Sequence, residues 1–129
     1  MIAAHWVTAI WHLFVAAKVL PGPTNDVNLF AVGLITLLHL GVAGAWKKLP
    51  DRLVGGILSA FFIAALAFGI YEHFLHPGGN NVFMVSASEW KTAFEVGVGL
   101  LMALEVLGVG IGIRFLNAEA PVGGVRVAV

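Results

Sequence analysis

Followed for the places where polar positions interrupt apolar ones, the chain divides into four long apolar stretches joined by short polar or proline-glycine connectors. The first, residues 1–20, is apolar apart from His5, Thr8, His12 and Lys18, and it stops at Pro21-Gly22-Pro23, which cannot continue a helix. The second, 28–46, carries no formal charge; its length suits the span of roughly 20 residues needed to cross a ~30 Å hydrocarbon core. After the charged connector Lys47-Lys48-Leu49-Pro50-Asp51-Arg52, residues 53–76 form a third run, which Pro77-Gly78-Gly79 breaks. The fourth, 91–116, carries Glu95 and Glu105 within it, and the tail from Asn117 is expected to fray. The pattern predicts an all-α fold, an integral membrane four-helix bundle forming a single transmembrane domain over residues 1–129.

Composition removes the soluble alternatives. The chain is 60% hydrophobic and 11% charged, with a mean hydropathy of +0.96, whereas about 25% of residues are charged in an ordinary soluble domain. Lys and Arg together balance Asp and Glu, and no basic run exceeds Lys47-Lys48, so the footprint of a nucleic-acid binder is missing. The absence of cysteine excludes a disulfide framework, a thiolate nucleophile, an iron–sulfur cluster and a cysteine-type zinc site. The N-terminal stretch lacks the basic region and the small-residue cleavage site of a signal peptide, and reads as a retained first span. Lys47, Lys48, Arg52, Arg114 and Arg126 fall on one side of the four spans, against Lys18 and Lys91 on the other. The positive-inside rule then places both termini in the cytoplasm.

Two loops share a pattern: Leu20-Pro21-Gly22-Pro23-Thr24-Asn25-Asp26-Val27 and His76-Pro77-Gly78-Gly79-Asn80-Asn81-Val82. Two repeated helix hairpins would produce it, and so would the general use of Pro, Gly and Asn where helices end. Gly108 and Gly112 form a GxxxG in the fourth span, while Ala60 with Ala64 and Ala65 with Gly69 repeat small residues one turn apart in the third. Small residues at this spacing allow close helix packing in lipid. Trp46, Phe83 and Trp90 stand at expected interfaces, as an aromatic belt requires.

Ionisable groups inside spans cost on the order of 2.5–3.5 kcal/mol for a central Asp, Lys or Arg, so each needs a reason. Glu105 stands fourteen residues after Lys91 and His39 eleven after Asn28, about 21 Å and 16 Å along their helices at 1.5 Å per residue. The pairing expected first is therefore His39 with Glu105. His5 and His12, seven residues apart, share a helix face within about 20°, His12 inside the core and His5 near the inner boundary. Glu95 lies within reach of Lys91 or Lys18, and Lys18, Glu95, His12, His39 and Glu105 together could line one polar path. Against this stands a plain packing role, since histidines in membrane helices also serve as hydrogen-bonding links between helices.

At the outer end of the third span, Tyr71, Glu72, His73 and His76 form the densest polar cluster. A continuous helix would let Glu72, His73 and His76 lean together as metal ligands, but Pro77 pushes His76 out of the α region. The order Glu-His-x-x-His also differs from the metalloprotease order, so no metal site is expected. A b-type haem held by His12 and His39 and a bound quinone are the cofactor alternatives. His5-Trp6 is similar to the start of the first helix in four-helix b-type cytochromes, although that group places a histidine in its fourth helix and this chain has none there.

Across most of its length the chain resembles the DoxX-like group of small four-helix bacterial membrane proteins. The residues that carry the resemblance are Lys18-Val19-Leu20-Pro21, the glycine-containing start of the second span, Asp51-Arg52-Leu53 before an Ala/Phe-rich third span ending in histidine, Trp90 to Glu95, and Leu107-Gly108. His39 departs from it, standing where the group commonly has an acidic residue, and so does the HPGGNNV loop. The resemblance implies an accessory subunit of a larger membrane complex, redox or quinone-linked and non-catalytic by itself. Its partners would be lipid and other membrane subunits or further copies of itself. The competing expectation is a haem- or quinone-binding protein that moves electrons or protons through His12, His39 and Glu105.

Overall fold

The structure, a computed structural model, describes residues 1–19, 33, 36, 37, 39–44, 46 and 48–118. Every regular element among the described residues is helical: α1 (Ile2–Val19), α2 (Asp51–Ile70) with a π-helical turn (Tyr71–Leu75) continuing it, and α3 (Lys91–Leu116). Residues 39–44 are helical as well, with His39 and Val42 buried. Among the described residues three helices are long and apolar enough to cross a membrane: Ile2–Val19, Asp51–Leu75 and Lys91–Leu116. Most of the expected second span, the loop around Asn25, the Leu20-to-Val27 half of the repeat and the tail beyond 118 lie outside the described residues.

Local chemistry sets the helix ends. Pro50, at φ −59° and ψ 142°, precedes Asp51, and its carbonyl accepts from the N–H groups of Leu53 and Val54 at 2.9 and 3.1 Å. Asp51 then places negative charge against the positive end of the α2 dipole, while Lys18 and Arg114 stand in the last turns of α1 and α3, where cations are favoured. The end of α2 is different. His76 precedes Pro77 and is driven extended (φ −73°, ψ 123°), so its N–H reaches five residues back and donates to the Tyr71 carbonyl at 2.7 Å.

α3 is the central element, with α1 and α2 both packed on it. The α2–α3 contact depends on glycine. A methyl group at Gly108 would run into the Phe62 ring; at Gly112 it would meet the Ser59 side chain and lie 2.8 Å from the Ser59 nitrogen; at Gly55 it would lie 2.6 Å from the Gly112 oxygen. Of the other small residues, Ala65 is buried and Gly69 half-buried, whereas Ala60 and Ala64 are exposed. Val7, Ile10 and Phe14 on α1, Leu53 and Ile63 on α2, and Leu100 and Leu107 on α3 are exposed, while His5, His12, His39, Ser59 and Glu105 are buried. Apolar faces turned outward around a partly polar interior suit a bilayer as solvent.

The segment after α2 folds around one side chain. Asn81 is buried; its amide donates to the His76 carbonyl at 3.1 Å, its Oδ1 accepts from the Phe83 N–H at 3.0 Å, and the Val82 N–H donates to the His73 carbonyl at 3.0 Å. These bonds hold the loop against the π-turn. Asn81→Ala is expected to lower stability in mild detergent by about 1–3 kcal/mol, since two hydrogen bonds of about 1 kcal/mol each go with the amide. Asn80→Ala, which leaves its backbone acceptor in place, should cost much less, and thermal unfolding of the two variants decides the matter. Equal losses would place the anchor elsewhere.

Candidate functional site

The seven-residue spacing of His5 and His12 puts both rings on the face of α1 that meets α3, and both are at least nine-tenths buried, at 2% and 7% exposure. Glu105, on the inward stripe of α3 one turn before Gly108, is 6% exposed. His5 Nε2 approaches Glu105 Oε1 to 3.5 Å, and His39 stacks on the other side of His5 with ring centroids 5.1 Å apart and planes at 28°. Phe61 and Phe62 close this group edge-on, Phe62 at 5.3 Å from His5 and Phe61 at 4.5 Å from His39.

A second histidine pair stands one step toward the π-turn. His12 meets His73 at 5.2 Å with planes at 87°, and both rest on Phe94. Gly97 makes room for it: a methyl group there would lie 2.8 Å from His12 Nδ1. The π-turn directs His73 inward, where its Nδ1 bonds the Asn80 carbonyl at 2.9 Å. A carbonyl can only accept, so Nδ1 carries the hydrogen and the neutral ring keeps its lone pair on Nε2. Between the two groups lies a cavity of ≈ 110 Å³ whose polar lining is His5, His12, Glu72, His73, Asn80 and Glu105, set among apolar side chains such as Leu13, Phe68 and Met102. Glu105 Oε2, both nitrogens of His5 and His12 Nδ1 are buried without a hydrogen-bond partner among the described residues. An unsatisfied buried polar group costs about 1–3 kcal/mol. Four such atoms around one cavity are harder to explain by packing than by use.

The sequence placed several of these residues differently. His5, expected near a boundary, comes within 3.5 Å of Glu105, because α1 lies directly on α3, and the ring of His39 stacks on that of His5. Lys18 and Glu95 do not line the interior: Lys18 is exposed with its ammonium 5.5 Å from the centre of the Phe14 ring, and Glu95 is exposed 3.9 Å from Lys91. At about 100° per residue Glu95 is turned roughly 80° from Glu105, and Lys18 roughly 120° from His12. The outer cluster divides. His73 faces inward, whereas His76 pairs with Glu72 at 3.8 Å and stacks on Tyr71 at 5.4 Å.

The donor set bears on cofactors. No group of three or more His, Asp or Glu side chains among the described residues could hold a metal ion. His5 and His39 present stacked faces to each other, and His12 and His73 meet edge to face. The cavity is also smaller than the ~150 Å³ site that admits benzene, and a quinone ring would have to stand at its mouth. Compared with protein-family models, with curated proteins and with solved structures, the chain matches none.

Proposed function

We propose that this chain is a small subunit of a membrane redox complex and that its interior histidine–glutamate cluster takes up and releases protons during that complex's turnover. The observation that carries the reading is Glu105, a buried carboxyl within 3.5 Å of an imidazole at the wall of a cavity lined by further imidazoles. Buried carboxyl and imidazole groups that face one cavity can exchange protons, the role ionisable groups in membrane spans commonly have. The redox and quinone-linked part of the reading rests on the resemblance to DoxX-like proteins, as does a bacterial inner membrane; cytoplasmic termini rest on the lysine and arginine distribution. The outward-facing apolar surfaces serve lipid and neighbouring subunits alike.

The test is purification in mild detergent with mass spectrometry of every co-migrating protein, followed by turnover assays on that assembly with Glu105→Gln. An electron-transfer or quinone-reacting subunit should co-migrate. The variant should assemble normally yet turn over about 10²-fold more slowly or worse, the scale of a lost acid–base group. Full turnover in Glu105→Gln, or assembly with no redox protein, would overturn the reading.

A further inference from the structure

The cluster has two unlike ends, and this bears on the direction from which a proton reaches Glu105. Toward the π-turn the cavity continues from Glu105 past His12 to His73, Glu72 and Asn80, of which the last three are half-buried and stand where α2 gives way to its loop. Glu72 in turn pairs with His76, whose side chain is 46% exposed. Polar groups thus follow one another from the surface to the carboxyl.

In the other direction, past His5 and His39, no ionisable side chain is buried among the described residues, and the buried polar side chain is Ser59. Beyond His5 and His39 come the edges of Phe61 and Phe62, and Phe62 is wholly buried in a core of Val42, Val54 and Leu58. A crevice at that end is lined among the described residues by Met1, Ile2, Ala3, Trp46, Leu58 and Ile111, whose side chains are all apolar or aromatic, the terminal amine of Met1 being the titratable group there. The groups facing Glu105 are His5 from α1, with His39 stacked behind it from residues 39–44, and His12, Glu72 and His73 across the cavity; α2 presents Gly69, where a methyl group would lie 3.7 Å from Glu105 Oε2. Several waters fit a cavity of ≈ 110 Å³, since each occupies about 30 Å³ in the liquid and needs two to four polar partners, which the lining offers.

We propose that this cavity is a hydrated half-channel that connects Glu105 with the aqueous phase at the π-turn end of the molecule and with that phase alone. The proposal deepens the proton-handling reading by giving it a side: protons arrive past His76, Glu72 and His73, collect at Glu105 with His5 and His39, and do not cross Phe61 and Phe62. A subunit built this way supplies protons to, or drains them from, one face of the membrane and cannot by itself short-circuit a gradient.

The test uses the full chain in liposomes, with orientation fixed by labelling a single cysteine at Asn80 in this cysteine-free chain. Dicyclohexylcarbodiimide partitions into bilayers and reacts with protonated carboxyls, and peptide mass spectrometry reads the adduct on Glu105 separately from those on Glu72, Glu89, Glu95 and Asp51. With the opposite side buffered at pH 8, lowering the pH from 8 to 5 on the π-turn side should raise the rate of Glu105 modification at least tenfold, and the reciprocal experiment should leave it unchanged within twofold. In Gly69→Leu, whose side chain enters the cavity, the dependence should fall away while the Asn80 label keeps its sidedness. A rate that follows the opposite side, both sides equally or neither overturns the half-channel. Loss of turnover in Glu105→Gln without sidedness would keep the proton-handling reading and remove this one; sidedness with full turnover would do the reverse.

Discussion

Replacing Gly108 with leucine is expected to abolish the folded bundle. Phe62, whose ring occupies the place of the missing side chain, is wholly buried between α2 and α3 and packs against His5, Phe61 and the Val54–Leu58 core. Overpacking commonly costs about 1–3 kcal/mol and more where neighbours cannot yield, and a leucine here must separate two helices whose contact supports α1 through α3. Gly110→Leu and Gly99→Leu are the controls, because nothing among the described residues lies within 4 Å of a Cβ added at either position. Gel filtration after heating in mild detergent should show Gly108→Leu aggregated at temperatures where both controls remain monodisperse. Shrinking the obstacle in Gly108→Ala with Phe62→Leu should recover much of what Gly108→Ala alone loses. If Gly108→Leu melts with the controls, the close contact is not what holds α2 on α3.

The extent of the apolar runs made the helices legible: α1, α2 with its π-turn, and α3 lie within a few residues of the stretches 1–20, 53–76 and 91–116. Gly108 and Gly112 were legible as well, because GxxxG states its own geometry. Gly55 and Gly97 were not, since each is required by a partner far along the chain, the Gly112 backbone for one and the His12 ring for the other. Depth along a helix suggested that Glu105 could meet a histidine, but depth does not say which helices touch. The packing of α1 on α3 is what brings His5 to the carboxyl. The rotation of Glu95 away from Glu105 was already implied by ten residues of helix, and counting degrees rather than depth would have placed it outside. The division of Glu72, His73 and His76 needed the π-turn, which Pro77 foreshadowed without saying which histidine would turn inward.

His5→Leu should destabilise the protein markedly, and His5→Leu combined with Glu105→Leu should restore most of the loss. The single change removes the polar group nearest a carboxyl that is 6% exposed, and leaves an apolar wall in its place. An unpartnered neutral acid costs about 1–3 kcal/mol, and stranding an ionised one about 3–5 kcal/mol, so the size of the loss itself reports the protonation state of Glu105. Removing both partners leaves no orphan, and similar-sized apolar replacements for a buried pair are often neutral or stabilising. In a double-mutant cycle followed by unfolding in mixed micelles, the pair should therefore show coupling well above the ~0.5 kcal/mol scatter of independent sites. Restored folding would also isolate the chemistry: the double variant would assemble with its partners yet turn over no faster than Glu105→Gln, since it keeps the architecture and lacks the carboxyl. Costs that simply add would mean that His5 and Glu105 do not interact, and the cluster would lose the contact on which its chemistry is argued.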